Sequence, residues 1–186
     1  GISLAAYSTG YGVRVAAGDM DCDDVDEIVT VPGAGDNNVG IVKVWDVDTT
    51  MGAGQWSVTK REEYRVLSQY HNSVSVAVGD VNGDGYGEVI AGAGPDRRAR
   101  DEIKIYDRNG GKVTEFMAYI TKQYGVNVAS GDLDDDGVAE IVAGAGPGER
   151  NRAIVKIFDA NGVEKARFKV MGTRYGVNVA VGDLGL

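Results

Sequence analysis

Residues 125–147 read GVNVASGDLDDDGVAEIVAGAGP. Val126 and Val128 alternate with Asn127 and Ala129, the period of a β-strand with two distinct faces. The aspartates that follow fit an acidic turn, and Glu140-Ile-Val-Ala-Gly144 opens a second run suited to a strand. The octet that starts this stretch recurs without gaps: GVRVAAGD at 12–19, SVSVAVGD at 73–80, GVNVASGD at 125–132 and GVNVAVGD at 176–183. Its closing residues, Asp19, Asp80, Asp132 and Asp183, stand 61, 52 and 51 residues apart. A fixed period of this length marks a repeat architecture.

Each complete unit carries two further segments. One is Ile41–Asp46, Ile103–Asp107 or Ile154–Asp159; the last is a looser amphipathic run at 56–67, 112–120 or 163–171. Asn109-Gly110 and Asn161-Gly162 separate them and predict tight hairpins, because both residue types tolerate φ > 0. In the first unit the longer stretch Asp46–Gly54 fills that gap. Four short strands in about 52 residues predict an all-β fold of four-stranded antiparallel repeats, the pattern of β-propeller blades. A β-helix, with its shorter repeat, and a long sandwich fit less well. The boundaries expected are a partial unit at 1–11, repeats at 12–72, 73–124 and 125–175, and the start of a fourth at 176–186. A last-strand segment at Ile2–Tyr7 and a first-strand segment after Gly176 would then flank three complete units. Three blades do not close a ring, so the pattern predicts a partial or assembled propeller with open strand edges available for self-association.

Gly is frequent at 28 residues and Pro rare at 3, which suits many tight turns. The formal charge of −9 is local. Half of the acids lie in three short turns, and the remaining chain is mildly basic. Turns this negative argue against nucleic acid, and no apolar run is long enough to insert in a membrane.

The turns obey one grammar when counted from their first aspartate. Positions 1, 3 and 5 are Asp19, Asp21 and Asp23, then Asp80, Asn82 and Asp84, then Asp132, Asp134 and Asp136. Position 9 is Glu27, Glu88 or Glu140. Position 6 is Asp24, Gly85 or Gly137, where glycine permits a φ > 0 bend. Oxygen donors two residues apart on a tight turn converge, and their mutual repulsion calls for a hard cation. Ca²⁺ takes six to eight oxygens, backbone carbonyls included, so position 7 (Val25, Tyr86, Val138) completes each candidate set. Mg²⁺ demands a stricter octahedron, and zinc would want His or Cys. An EF-hand needs Glu at position 12, where Thr30, Ala91 and Ala143 stand instead. Three Ca²⁺ sites are expected, the second weakest because of Asn82, while the turn after Asp183 stops before its ligands.

These residues resemble the FG-GAP (integrin α-type) repeats and the related bacterial VCBS-type repeats, most clearly over Gly125 to Pro147. The resemblance implies a β-propeller with Ca²⁺ in the turn between the first two strands of each blade. It also implies an extracellular or cell-surface setting, with adhesion or ligand binding as the role. The first unit departs from the pattern at Asp24 and Val31-Pro32.

Function then falls to the faces of the propeller. The loops 35–40, 95–101 and 147–152 would offer Arg97, Arg98, Arg100, Arg150 and Arg152 to an extracellular protein or glycan partner. A lectin is the alternative, with Trp45, Trp56, Tyr106 and Phe158 to stack on sugars, although Trp45, Tyr106 and Phe158 share one repeat position and suit packing better. A Ca²⁺-dependent polysaccharide lyase or hydrolase is less favoured. No Ser–His–Asp or paired-acid arrangement stands out, and His71 is the single histidine. The chain is therefore read as non-enzymatic. Cys22 has no internal disulfide partner.

Overall fold

The computed structural model describes residues 5–8, 10–35, 40–50, 56–67, 74–120 and 123–182. Among these it contains twelve β-strands and no helix. The first sheet holds β1 (Val13–Gly18), β2 (Glu27–Pro32), β3 (Ile41–Asp48) and β4 (Ser57–Arg65). The second holds β5 (Val74–Gly79), β6 (Glu88–Ala93), β7 (Glu102–Tyr106) and β8 (Lys112–Met117). The third holds β9 (Val126–Gly131), β10 (Glu140–Ala145), β11 (Arg152–Phe158) and β12 (Glu164–Arg174). Each is an antiparallel meander in chain order, so the three sheets are copies of one unit.

The register fixes the acidic turns. Gly18 pairs with Glu27, Gly79 with Glu88 and Gly131 with Glu140. The glutamate at position 9 is thus the first residue of the second strand in every sheet.

The sheets pack face to face through their first strands. β5 lies against β1 and β2, and β9 against β5 and β6. One core joins Val29, Val31 and Val44 of the first sheet to Val76, Val78, Val89 and Ala91 of the second. The next joins Ala77, Ile90, Ile103 and Ile105 of the second to Val126, Val128 and Ile141 of the third. β6 is therefore buried on both faces, Val89 and Ala91 on one side and Ile90 on the other, which explains why its sequence is apolar throughout. Glycine at the end of the first strand receives the next sheet. A Cβ on Gly18 would strike Val78, one on Gly79 would press on Ser130, and one on Gly131 would strike Val181.

Trp45, Tyr106 and Phe158 are buried at equivalent places. The second and third stack against Tyr64 and Phe116 of the preceding sheet, at 6.2 and 5.0 Å. A β-bulge precedes each of the three. On the opposing outermost strand the residue left without a partner is Arg61, Val113 or Lys165. A bulge re-aims a side chain, and in the first and third sheets it turns these toward the acidic loop.

The Asn-Gly hairpins form where expected, with φ > 0 at Gly110 (83°) and Gly162 (77°) and not at the asparagines. Asp107 and Asp159 accept the N–H groups of Asn109 and Gly111, and of Asn161 and Val163, at 2.8–2.9 Å. An aspartate in front of the pair thus selects a type I turn with a glycine bulge. One expectation needs correction: the terminal segments differ from strands. Residues 177–181 form none, yet Val177, Val179 and Val181 pack on Ala129, Val142 and Val155 of the third sheet. Residues 2–4 of the expected N-terminal strand lie outside the described residues, and Ala5–Tyr7 are unpaired. Tyr7 nonetheless donates to the carbonyls of Thr30 and Ile41 at 2.7 and 2.9 Å. Tyr119 does the same to Ala143 and Ile154 at 2.9 and 2.7 Å. Both tyrosines thus staple the end of one unit to the sheet that follows. Val13 and Val15, counterparts of the buried Val74 and Val76, are 43% and 62% exposed.

Gly92 offers a direct test of this packing. A Cβ there would lie 2.6 Å from the Val126 carbonyl oxygen and 2.9 Å from the Val128 side chain. Gly92→Val is expected to cost about 1–3 kcal/mol. Urea denaturation should show a lowered midpoint with an unchanged slope.

Candidate functional site

The three turns share one set of backbone hydrogen bonds. The position 1 carboxylate turns inward and caps the loop. Asp19 accepts the N–H groups of Cys22 at 2.7 Å and Asp24 at 3.0 Å. Asp80 accepts those of Gly83 and Gly85, both at 2.7 Å. Asp132 accepts those of Asp136 at 3.2 Å and Gly137 at 2.8 Å. Position 5 holds the N–H of position 7 in every turn: Asp23 with Val25, Asp84 with Tyr86 and Asp136 with Val138, each at 2.9 Å. Position 9 reaches back to the N–H of position 2: Glu27 to Met20 at 2.8 Å, Glu88 to Val81 at 3.1 Å and Glu140 to Leu133 at 3.0 Å. These donors hold the carboxylates in place and oppose their repulsion.

Two φ > 0 positions, rather than one, close each loop. Besides Asp24, Gly85 and Gly137 at position 6, Cys22 (64°), Gly83 (76°) and Asp135 (58°) at position 4 are left-handed. Gly83 was the visible signal of this second bend.

The first and third turns gather their acids tightly. Carboxylate oxygens of Asp19, Asp21 and Glu27 lie within 4.8 Å of one another, as do those of Asp132, Asp134 and Asp136. In the second turn the Asn82 amide bridges instead, donating to Asp84 at 3.1 Å and Glu88 at 2.9 Å. Glu27, Glu88 and Glu140 are buried, only 3%, 2% and 4% exposed. Burial pushes the Glu88 carboxyl up to about 7, and Asp84 and Asp80 add to it. Burial likewise raises Glu27. Asp19 is pushed up by burial but ends below its ordinary value because four backbone N–H groups outweigh it. The Gly137 N–H, with others, lowers Asp132.

Two basic side chains enter from the outermost strands. Arg61 donates to Asp21 at 2.7 Å and reaches Asp46 at 3.3 Å. Lys165 donates to Glu140 at 2.7 Å and Asp134 at 3.2 Å. These bonds raise both cations above their ordinary values. Sequence reasoning missed both residues, because they lie about 30–40 positions from the motif and reach it only through the bulge.

The donor set fits a hard divalent cation. It consists of oxygens alone, and one of them, Asp21 Oδ1, is buried without a hydrogen-bond partner. Asp19, Asp21 and Glu27 in the first turn and Asp132, Asp134 and Asp136 in the third would hold the ion, while Asp23 and Glu140 stand outside these two clusters. An ion there would add positive charge beside the carboxylates.

The turns are also tied to each other. Gly87 N–H donates to the Asp19 carbonyl at 2.9 Å and Ala139 N–H to the Asp80 carbonyl at 2.7 Å. The opposite end of the sheets carries the arginines. Arg97, Arg98, Arg100, Arg150 and Arg152 are all exposed. Arg97 and Arg150 line one cleft of about 540 Å³ with Gln123, Tyr124, Glu149 and Asn151. Asn151 fixes its floor by donating to the carbonyls of Gln123 at 2.6 Å and Gly146 at 3.0 Å. Loop residues 36–39 and His71 lie outside the described residues.

Against known families, residues 80–143 match the FG-GAP-like repeat. The match begins at position 1 of the second turn and ends just beyond position 9 of the third.

Cys22 is the costly residue of the first turn. A left-handed non-glycine residue costs about 1–2 kcal/mol, and glycine returns part of that through unfolded-chain entropy. Cys22→Gly should therefore stabilise the protein by about 0.5–1 kcal/mol, read as a higher urea midpoint.

Proposed function

We propose that this chain is a non-enzymatic run of Ca²⁺-binding β-propeller blades serving as an extracellular or cell-surface binding module. The observation that carries the reading is the threefold recurrence of one hydrogen-bonded turn that holds oxygen donors together around a buried glutamate. The FG-GAP-like match over the second and third turns supports it, as does the packing of first strands on first strands. Ca²⁺ is structural in this reading. It ties the first strand of each blade to the second and is not a reagent.

Partner binding belongs to the opposite end, where backbone is not committed to metal. The cleft beside Tyr124, with Arg97 and Arg150 at its rim, suits an acidic protein segment or an anionic glycan. The buried Trp45, Tyr106 and Phe158 are packing residues, which leaves the lectin alternative with exposed Trp56 alone of its four candidate aromatics. Exposed Val13 and Val15 would take a preceding blade, from a longer chain or a second copy.

Two measurements test these readings. An ion at 100 times its dissociation constant stabilises by about 2.7 kcal/mol per site. At about 2–4 °C per kcal/mol for a chain of this size, millimolar Ca²⁺ should raise Tm by many degrees over chelator, and Asp132→Ala should remove part of the gain. Equal melting curves would refute the metal. Secondly, an array of extracellular proteins and of neutral and sulfated glycans should yield a ligand retained by the wild type. The Arg97→Ala/Arg150→Ala double variant should lose it without a change in Tm. Retention by the double variant would move the partner surface elsewhere.

A further inference from the structure

The outermost strands carry a pattern that the repeat motif does not contain. The bulge residue is Arg61 in the first sheet, Val113 in the second and Lys165 in the third. The residue at position 3 of the corresponding turn is Asp21, Asn82 and Asp134. Aspartate therefore occurs with a cation and asparagine with an apolar side chain. Each cation bonds to that aspartate, Arg61 at 2.7 Å and Lys165 at 3.2 Å. Val113 lines a cleft with Asn82 of its own turn and with Asp136, Glu140 and Lys165 of the next, and has no charge to offer Asn82.

The charges balance turn by turn. Positions 1, 3, 5 and 9 supply four carboxylates in the first and third turns and three in the second. One built-in cation brings the first and third to a net of −3, which the second reaches through its asparagine alone. Asp24, Asp26 and Asp135 add exposed charge outside the donor positions.

We propose that the bulge residue of the outermost strand is an internal counter-ion that sets the Ca²⁺ affinity of its own turn. This rests on reading the turns as Ca²⁺ sites. The Lys165 ammonium occupies two donors of the third turn, Asp134 Oδ2 and Glu140 Oε1. An entering ion must displace it or share those carboxylates with it. The cation thereby stabilises the metal-free turn and weakens the loaded one. Among the described residues no cation bonds to the carboxylates of the second turn, where Arg108 lies over the Tyr86 ring at 4.2 Å and off the donors, so its asparagine does not make it the weakest of the three.

The test follows each turn separately by NMR. The Gly85 and Gly137 amides, which bond to Asp80 and Asp132, report on the second and third turns during titration with CaCl₂. Lys165→Met should tighten the third turn by roughly fivefold, the scale of a partly exposed ion pair, and should lower Tm in chelator. Val113→Lys should weaken the second turn by a similar factor. Val113→Lys together with Asn82→Asp should return the second turn to within about twofold of its original affinity. If the wild-type amides ignore Ca²⁺, the underlying metal reading fails. If they respond but neither Lys165→Met nor Val113→Lys alters its own turn, or Lys165→Met weakens the third, the counter-ion assignment is overturned. Should Lys165→Met fail to fold, Val113→Lys still decides, because it adds a charge to an exposed position.

Discussion

Carboxylates forced together at the end of a strand are the constraint on which this structure turns. Closing the strand pair from Gly131 to Glu140 within nine residues leaves no room to disperse the charge. The chain meets that repulsion in layers. Backbone N–H groups point inward at the first aspartate, and the buried glutamate accepts a further N–H. In two turns a basic side chain arrives from the far edge of the same sheet. Amide dipoles orient the carboxylates but carry no net charge. A divalent ion would neutralise the site further, and burial makes the acid at position 9 sensitive to that charge.

The same backbone that makes the site also makes the interface between sheets. The carbonyl of the first aspartate is directed away from its own loop and accepts an N–H from position 8 of the following one. Ordering one turn therefore fixes an acceptor for the next. Immediately before that aspartate, the glycine that ends the first strand receives a side chain from the neighbouring unit. Site and core are thus two consequences of one strand-turn-strand segment, which explains why the octet and the acidic turn recur as a block.

Much of this was legible in the sequence because the repeat aligns without gaps. The four strands of each unit, the alternation of Val126 and Val128 and the buried role of Trp45, Tyr106 and Phe158 follow from period and position. What escaped has physical causes. Asn109-Gly110 marked a hairpin without its geometry, which Asp107, two positions earlier, selects by bonding to the loop. The left-handed bend at position 4 was hidden because Cys22 and Asp135 occupy it where only Gly83 advertises it. Residues 177–181 carry the strand pattern in full, yet lie on the third sheet without a second strand to pair with. Pattern specifies which face is buried; pairing requires a partner.

Arg61 and Lys165 are the most instructive omission. Read along the chain, each is an ordinary basic residue in an amphipathic run. Their meaning appears only when the bulge beside the buried aromatic is counted, since a one-residue slip decides whether the side chain faces solvent or the turn. A strand four steps along the chain thus takes part in a site that the motif assigns to the first two strands alone. Composition at the motif then ceases to rank the turns. Asn82 reads as a lost ligand charge when taken by itself, and as the equal of an aspartate with its cation when the whole sheet is counted.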